Sequence, residues 1–230
     1  MMKQRVSRIL HQYCPYIWEV FRNWTGVAVL PEAVKQSGII FIHIPKTAGT
    51  SICKALYGTP TIGHLKIKDW QFSFPHTWRK LRVVSVVRDP LDRFLSAFYF
   101  LKKGGMNELD AVFSERFLKE YETPDLLVHA MELNADLCAH ILNYTHFIPQ
   151  VDFLKDCKGR IIADLLVPYE RIGNFGELIE PFLGRNLTLP KLNATDRHME
   201  SFLSTKSATF VTALYDEDNR LHQSLLDAGL

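Results

Sequence analysis

The sequence predicts an α/β fold in three layers, with helices on both sides of a central parallel sheet, and three observations carry that expectation. Short continuous apolar runs rich in β-branched residues occur at 38–44, 81–87 and 161–167, the pattern of strands buried on both faces. Each run is closed by a turn residue, Pro45, Pro90 or Pro168. A stretch with helical spacing follows each one, so strands alternate with helices, which favours parallel pairing.

In chain order, Ile9, Tyr13, Tyr16, Ile17, Val20, Phe21 and Trp24 recur at helical spacing, predicting an amphipathic helical segment over residues 1–36 that packs on the body. The first strand is expected at 38–44, with a helix from Ser51 to Tyr57 ended by Gly58. The second strand, 81–87, leads into a helix from Pro90 through about Lys103, closed by Gly104-Gly105. Residues 106–143 read as helices and loops. The third strand, 161–167, precedes a helix near 175–183, and a last helix is expected from Ser207 to Leu226. Residues 37–230 are thus expected to form one domain.

Composition narrows the function. The chain has 230 residues, 47% hydrophobic and 23% charged, with formal net charge +2 from 27 basic and 25 acidic side chains. That balance does not suggest a non-specific nucleic-acid binder, so any anion site must be local. The four cysteines, Cys14, Cys53, Cys138 and Cys157, form no C-x-x-C pair; they read as free thiols and give no support to a zinc site. Arg5, Arg8, His11 and Glu19 interrupt the N-terminal apolar residues, so no bilayer-crossing run is expected there. The expectation is a soluble cytoplasmic protein. Four N-x-[ST] triplets, at Asn23, Asn143, Asn186 and Asn193, keep a truncated luminal form as the alternative.

The most informative segment is His43-Ile44-Pro45-Lys46-Thr47-Ala48-Gly49-Thr50-Ser51. A turn of small residues between a strand and a helix N-terminus lets backbone N–H groups converge on an anion. Gly49 permits close backbone approach, Thr50 and Ser51 add hydroxyls, and Lys46 adds a point charge. In a nucleoside-triphosphate loop the lysine follows the second glycine. Here it precedes the only one, which favours a single terminal phosphate. A second anion site is expected at Arg88-Asp89-Pro90-Leu91-Asp92-Arg93-Phe94-Leu95-Ser96. Arg88 stands at a strand end, where open α/β sheets bind ligands, and Ser96 two turns into the helix. The competing reading pairs Arg88 with Asp89 or Asp92 and makes Ser96 a packing residue.

These two segments resemble the 5′-phosphosulfate and 3′-phosphate motifs of sulfotransferases that use 3′-phosphoadenosine-5′-phosphosulfate (PAPS), in the branch that includes carbohydrate sulfotransferases. The resemblance implies a P-loop-type fold and transfer of sulfonate from PAPS to an acceptor hydroxyl, with a carbohydrate as first choice. It implies that Pro45, Lys46, Thr47, Ala48, Gly49, Thr50 and Ser51 hold the 5′-phosphate. Lys46 would also stabilise charge on the leaving oxygen, and Arg88 and Ser96 would take the 3′-phosphate. No metal is expected.

For the base that removes the acceptor proton the candidate is His64, in a Gly63-His64 pair similar to one in related carbohydrate sulfotransferases; His43, His140 and His146 are rivals. His146 belongs to His146-Phe147-Ile148-Pro149-Gln150, similar to an H-x-x-P-Q family segment and read as wall or acceptor contact. By resemblance, Tyr169 and Arg171 would contact adenine or the 3′-phosphate. By the same resemblance Arg197, in a loop like the family's L-P-x-x-N-x-[ST] stretch, would be a further phosphate ligand. Lys66 and Lys68 read as a solvated basic face before an acidic-acceptor contact. The rival functions are a P-loop kinase of a small molecule and a nucleotide-binding protein without catalysis.

Overall fold

The computed structural model describes residues 30–190 and 203–229. Most of the helical segment expected at 1–36, and Arg197 with its loop, lie outside them. Three strands, β1 (Ile39–Ile42), β2 (Arg82–Val87) and β3 (Leu165–Pro168), form one sheet in that order. Both pairings are parallel: Ile39 is opposite Arg82 and Ile42 opposite Ser85, while Val84 is opposite Leu165 and Val87 opposite Pro168. The carboxyl ends of all three strands therefore share one edge, the edge where α/β sheets bind ligands.

The sheet is covered on both faces, as near-continuous apolar strands require. On one face Ile40, Ile42, Val83 and Val87 pack with Val34 of α1 (Glu32–Ser37), Ile67 and Trp70 of α3 (Ile67–Ser73), Phe153 and Leu154 of α8 (Gln150–Leu154), and Leu225 of α11 (Asp216–Asp227). On the other, Ile39, Phe41, Val84, Val86 and Val167 pack with Ile52, Cys53 and Leu56 of α2 (Gly49–Tyr57) and Phe175 and Ile179 of α9 (Phe175–Leu183). The outer backbone of β1 is met by the Tyr57 hydroxyl, which accepts from Phe41 N (2.9 Å) and donates to Ile39 O (3.0 Å). That contact blunts an exposed strand edge.

A second core lies beside the sheet. α4 (Pro90–Lys102) starts where the sequence places it: Asp89 caps it by accepting from Asp92 N (2.8 Å), and Pro90 takes the first turn. Its Phe94, Ala97, Phe98 and Leu101 recur at helical spacing and pack on α5 (Glu108–Phe117), α6 (Pro124–Leu133), α7 (Ala135–Leu142) and α10 (Thr205–Leu214). Asn107, Thr123, Asn134 and Ser204 cap these four helices. Cys53 is buried, Cys138 partly buried and Cys157 exposed, all as thiols.

β1 ends at Ile42, short of the expected 44, and α2 begins two residues early at Gly49; two further elements differ more. The third strand begins at Leu165 rather than 161. The residues before it are spent on a turn, in which the Asp156 carboxylate accepts from the Lys158 and Arg160 amides (2.8 and 2.9 Å) and pairs with the Arg160 guanidinium. Ile161 makes only an antiparallel bridge to Lys155. The final helix is two helices, α10 and α11, divided at Tyr215, whose buried ring sends its hydroxyl to Phe147 O (2.6 Å).

The 146–151 segment is clamped from several sides. Arg93, fully buried in α4, donates to His146 O (3.0 Å) and Ile148 O (2.8 Å). The Asp218 carboxylate in α11 accepts from the Gln150 and Val151 amides (2.7 and 2.9 Å). Arg93→Ala would leave two carbonyls unpaired in the core. The expected loss is about 2–6 kcal/mol, about 1–3 for each carbonyl left unpaired, read from the denaturant midpoint. A loss below about 1 kcal/mol would show that the other clamps hold the segment unaided.

Candidate active site

The turn between β1 and α2 is bent by residues that ordinarily avoid that geometry. Lys46 (φ 70) and Ala48 (φ 63) are both left-handed without being glycine, at a cost of roughly 1–2 kcal/mol each. Alternating left-handed residues turn successive amides to the same side, which makes an anion-binding concavity. In keeping with that shape, none of the hydrogen bonds among the described residues uses the amides of Lys46, Thr47, Ala48, Gly49 or Thr50; the first amide of the helix to find a backbone partner is Ser51 N, on Ala48 O (3.0 Å). Thr47 is buried and its hydroxyl donates to Ile44 O (2.8 Å), fastening the turn from inside.

Gly49 has no substitute here. A Cβ on it would stand 1.9 Å from the His43 ring. That ring lies directly beneath the turn, and burial, followed by repulsion from His64 and His146, holds its pKa down to about 3. His43 is therefore a neutral packing residue at physiological pH.

The lysine and the arginine meet. Arg88, at the end of β2, donates to Lys46 O (3.0 Å), so both basic residues share one edge of the sheet. Arg88 also pairs with Asp92 (2.6 Å) and lies over the Tyr169 ring at the end of β3 (4.5 Å to the centroid). Its backbone is gripped by the buried Gln150 carboxamide, which accepts from Arg88 N (3.0 Å) and donates to Arg88 O (2.8 Å). The ammonium of Lys46 sits 3.9 Å from the centre of the Phe100 ring, a cation–π contact. Burial, then repulsion from Arg88, brings its pKa down to about 8, while Asp110 opposes the fall.

His64 joins the same place. Its Nδ1 lies 2.7 Å from His43 O, and its ring 4.3 Å from the His43 ring and 6.2 Å from that of His146. A carbonyl only accepts, so Nδ1 carries the proton and Nε2 keeps a lone pair, the form a general base needs. Burial lowers its pKa, the bond to the His43 carbonyl works against that, and His146 adds to the lowering.

Not every residue singled out from the sequence enters this cluster. Ser96 stands half-buried in α4, and its hydroxyl makes no hydrogen bond among the described residues. Arg171 donates to Gly229 O (2.7 Å), and no contact joins it to the turn. His140 packs on Phe117 in the side core. Lys66 has its ammonium 5.5 Å from the Phe153 ring, and Lys68 is exposed. Conversely, Phe100, Asp110, Tyr144 and Gln150 had no assigned part; only the H-x-x-P-Q spacing hinted at the last. No group of His, Cys, Asp and Glu among the described residues is arranged to hold a metal ion, and no described helix is long and apolar enough to cross a membrane.

The sequence model of the sulfotransferase family matches residues 33–223, which takes in the turn, the sheet and every residue of this cluster. The chain belongs to the sulfotransferase family. Searches of curated proteins and of solved structures returned no match. Within this sulfotransferase, the matched span contains both basic strand ends and the Gly63-His64 pair.

Proposed function

We propose that this sulfotransferase moves a sulfonate group from PAPS to an acceptor hydroxyl, a carbohydrate hydroxyl by preference. The observation that carries the reading is the row of amides from Lys46 to Thr50 without a partner among the described residues, with Lys46 and Arg88 joined across it. Those amides, the Thr50 and Ser51 hydroxyls and the Lys46 ammonium fit a 5′-phosphosulfate group, since N–H dipoles and a lysine need no metal to hold such an anion. Arg88 fits the 3′-phosphate, and Ser96 stands one turn further along α4 from Asp92, the partner of Arg88. Its pairing with Asp92 is exposed on the aspartate side, so an incoming phosphate can compete for the guanidinium. Tyr169, already against Arg88, offers a face for the adenine.

Sulfonate transfer asks a protein for alignment and charge stabilisation more than for covalent steps. Lys46 stabilises negative charge at the leaving oxygen. His64 Nε2 takes the acceptor proton, its ring held by the bond from Nδ1 to the His43 carbonyl. The acceptor assignment rests on the H-I-P-K-T-A-G-T-S turn and the Gly63-His64 pair, which resemble carbohydrate sulfotransferases.

The test is thermal stabilisation by 3′,5′-phosphoadenosine against ATP and AMP. At a hundredfold excess over Kd a ligand adds about 2.7 kcal/mol, or about 5–11 °C in Tm for a domain of this size. Only the doubly phosphorylated adenosine should reach that shift. Equal stabilisation by ATP with magnesium, or by AMP, would overturn the reading.

A further inference from the structure

Asp110, in α5, is nearly inaccessible and belongs to a stretch that carries no motif. Every lone pair of its carboxylate is engaged. Oδ2 accepts from Met106 N (3.0 Å) and Asn107 Nδ2 (3.1 Å), bonds local to the start of its helix. Oδ1 accepts from the Tyr144 hydroxyl (2.6 Å) and lies 3.3 Å from His146 Nε2, both more than thirty positions away in the chain. Gly105 closes the packing behind it, for a Cβ there would lie 2.1 Å from Asp110 Cβ. Helix capping accounts for the first pair of bonds only; Asn107 is itself the cap.

The second pair leads to the transfer cleft. The His146 ring lies 4.9 Å from Phe100, whose face carries the Lys46 ammonium, and 6.2 Å from His64. His146 is 9% exposed, and its Nδ1 is buried with no hydrogen-bond partner among the described residues. An unpaired buried nitrogen costs about 1–3 kcal/mol, a cost that an apolar residue filling the same wall would avoid. That cost suits a functional position better than a purely packing one.

Building on the roles given above to Lys46 and His64, we propose that Asp110 is a positioning residue of the transfer site: a fixed anion, locked by Tyr144 and His146, that orients His146 between Phe100 and His64 and balances the positive charge of the cleft. The groups around it are Lys46 from the turn, His43 from the end of β1, His64 from the loop after α2, Arg88 with Asp92 at the end of β2, and Tyr144 and His146. Its carboxylate stays ionised. Burial works against that, but hydrogen bonds from His146, Met106 and Tyr144 bring its pKa to about 2. The same charge opposes the lowering of both Lys46 and His64.

The experiment is an NMR titration of Lys46 and His64 in the full chain without substrates, for the native protein, Asp110→Asn and His146→Gln. Asp110→Asn keeps the size and one accepting oxygen while deleting the charge, so both groups should titrate at lower pH than in the native protein. Wherever transfer is measured, both limbs of its pH profile should move to acid together, which a loss of packing alone would not do. His146→Gln leaves Asp110 charged and removes the ring whose repulsion lowers His64, so His64 should titrate at higher pH; this variant stands as the test should the other fail to fold. An unchanged Lys46 or His64 in folded Asp110→Asn, an unchanged His64 in folded His146→Gln, or His64 shifts of the same sign in both, would overturn the proposal. A chain without transferase activity would sink the proposed function and leave the titrations to judge Asp110 by themselves.

Discussion

Replacing Lys46 with alanine should lower sulfonate transfer by roughly 10²–10³-fold, the usual loss when one donor to a developing oxyanion is removed. Binding of 3′,5′-phosphoadenosine should weaken about 10–100-fold, as for a lost charge-assisted hydrogen bond. The fold should not suffer. The native ammonium is disfavoured by burial and then by Arg88, which together bring it to about 8. Deleting it removes that penalty, so Tm should hold or rise, which separates this variant from one that is merely unfolded. The same perturbation fixes the pH dependence. The lysine acts while protonated, and its proton is lost as pH rises through about 8, so turnover should fall above that value. Lys46→Arg keeps a permanent charge, and whatever activity remains should no longer decline there. Alanine-variant activity within about threefold of native would remove Lys46 from the reaction.

The turn is costly to form, and its neighbours show how the cost is met. Two non-glycine residues adopt left-handed backbone and five amides find no partner among the described residues, features that cluster where strain serves a site. Around them the packing is unusually determined: the His43 ring under Gly49, the Thr47 hydroxyl on Ile44, the Arg88 guanidinium on Lys46 O, and Gln150 gripping Arg88. The H-x-x-P-Q segment thereby serves both sides. Gln150 fixes the basic strand end while His146 reaches the cleft beside His64, and Arg93 with Asp218 holds the backbone between them.

What could be read from the chain follows from range. The strands expected at 38–44 and 81–87, which span 39–42 and 82–87, the Asp89-Pro90 start of α4 and the left-handed stop at Gly58 all rest on local patterns. The basic turn and Arg88 were legible for the same reason, since each motif is contiguous. The late start of β3 was not, because 161–164 is as apolar as a strand while Asp156, outside the run, decides the turn. The break at Tyr215 depends on a carbonyl 68 positions away. Asp110 was invisible altogether: a carboxylate in an amphipathic helix looks solvated until Tyr144 and His146 fold onto it.

Substituting His64 with alanine should lower kcat by about 10²–10⁴-fold, the span ordinarily credited to a general base, while the Kd of 3′,5′-phosphoadenosine changes by less than about threefold. The split follows from geometry. His64 stands beside the turn, held by Nδ1 on the His43 carbonyl, and makes none of the anion contacts assigned to Lys46–Ser51 and Arg88. Burial puts its pKa below 6.5 despite that hydrogen bond, so Nε2 is free at neutral pH and the acid limb of native turnover should lie below 6.5. The alanine variant should lose that limb. The neighbouring histidines are poorly placed to substitute. His43 is packed beneath Gly49 and held at about 3, and His146 has one nitrogen against Asp110 and the other buried. Turnover that survived His64→Ala with its acid limb intact would therefore mean that the 143–149 segment moves during the reaction and frees His146. The decisive comparison is then the double variant with His146→Gln, whose loss should exceed that of either substitution alone only if the second histidine had taken over.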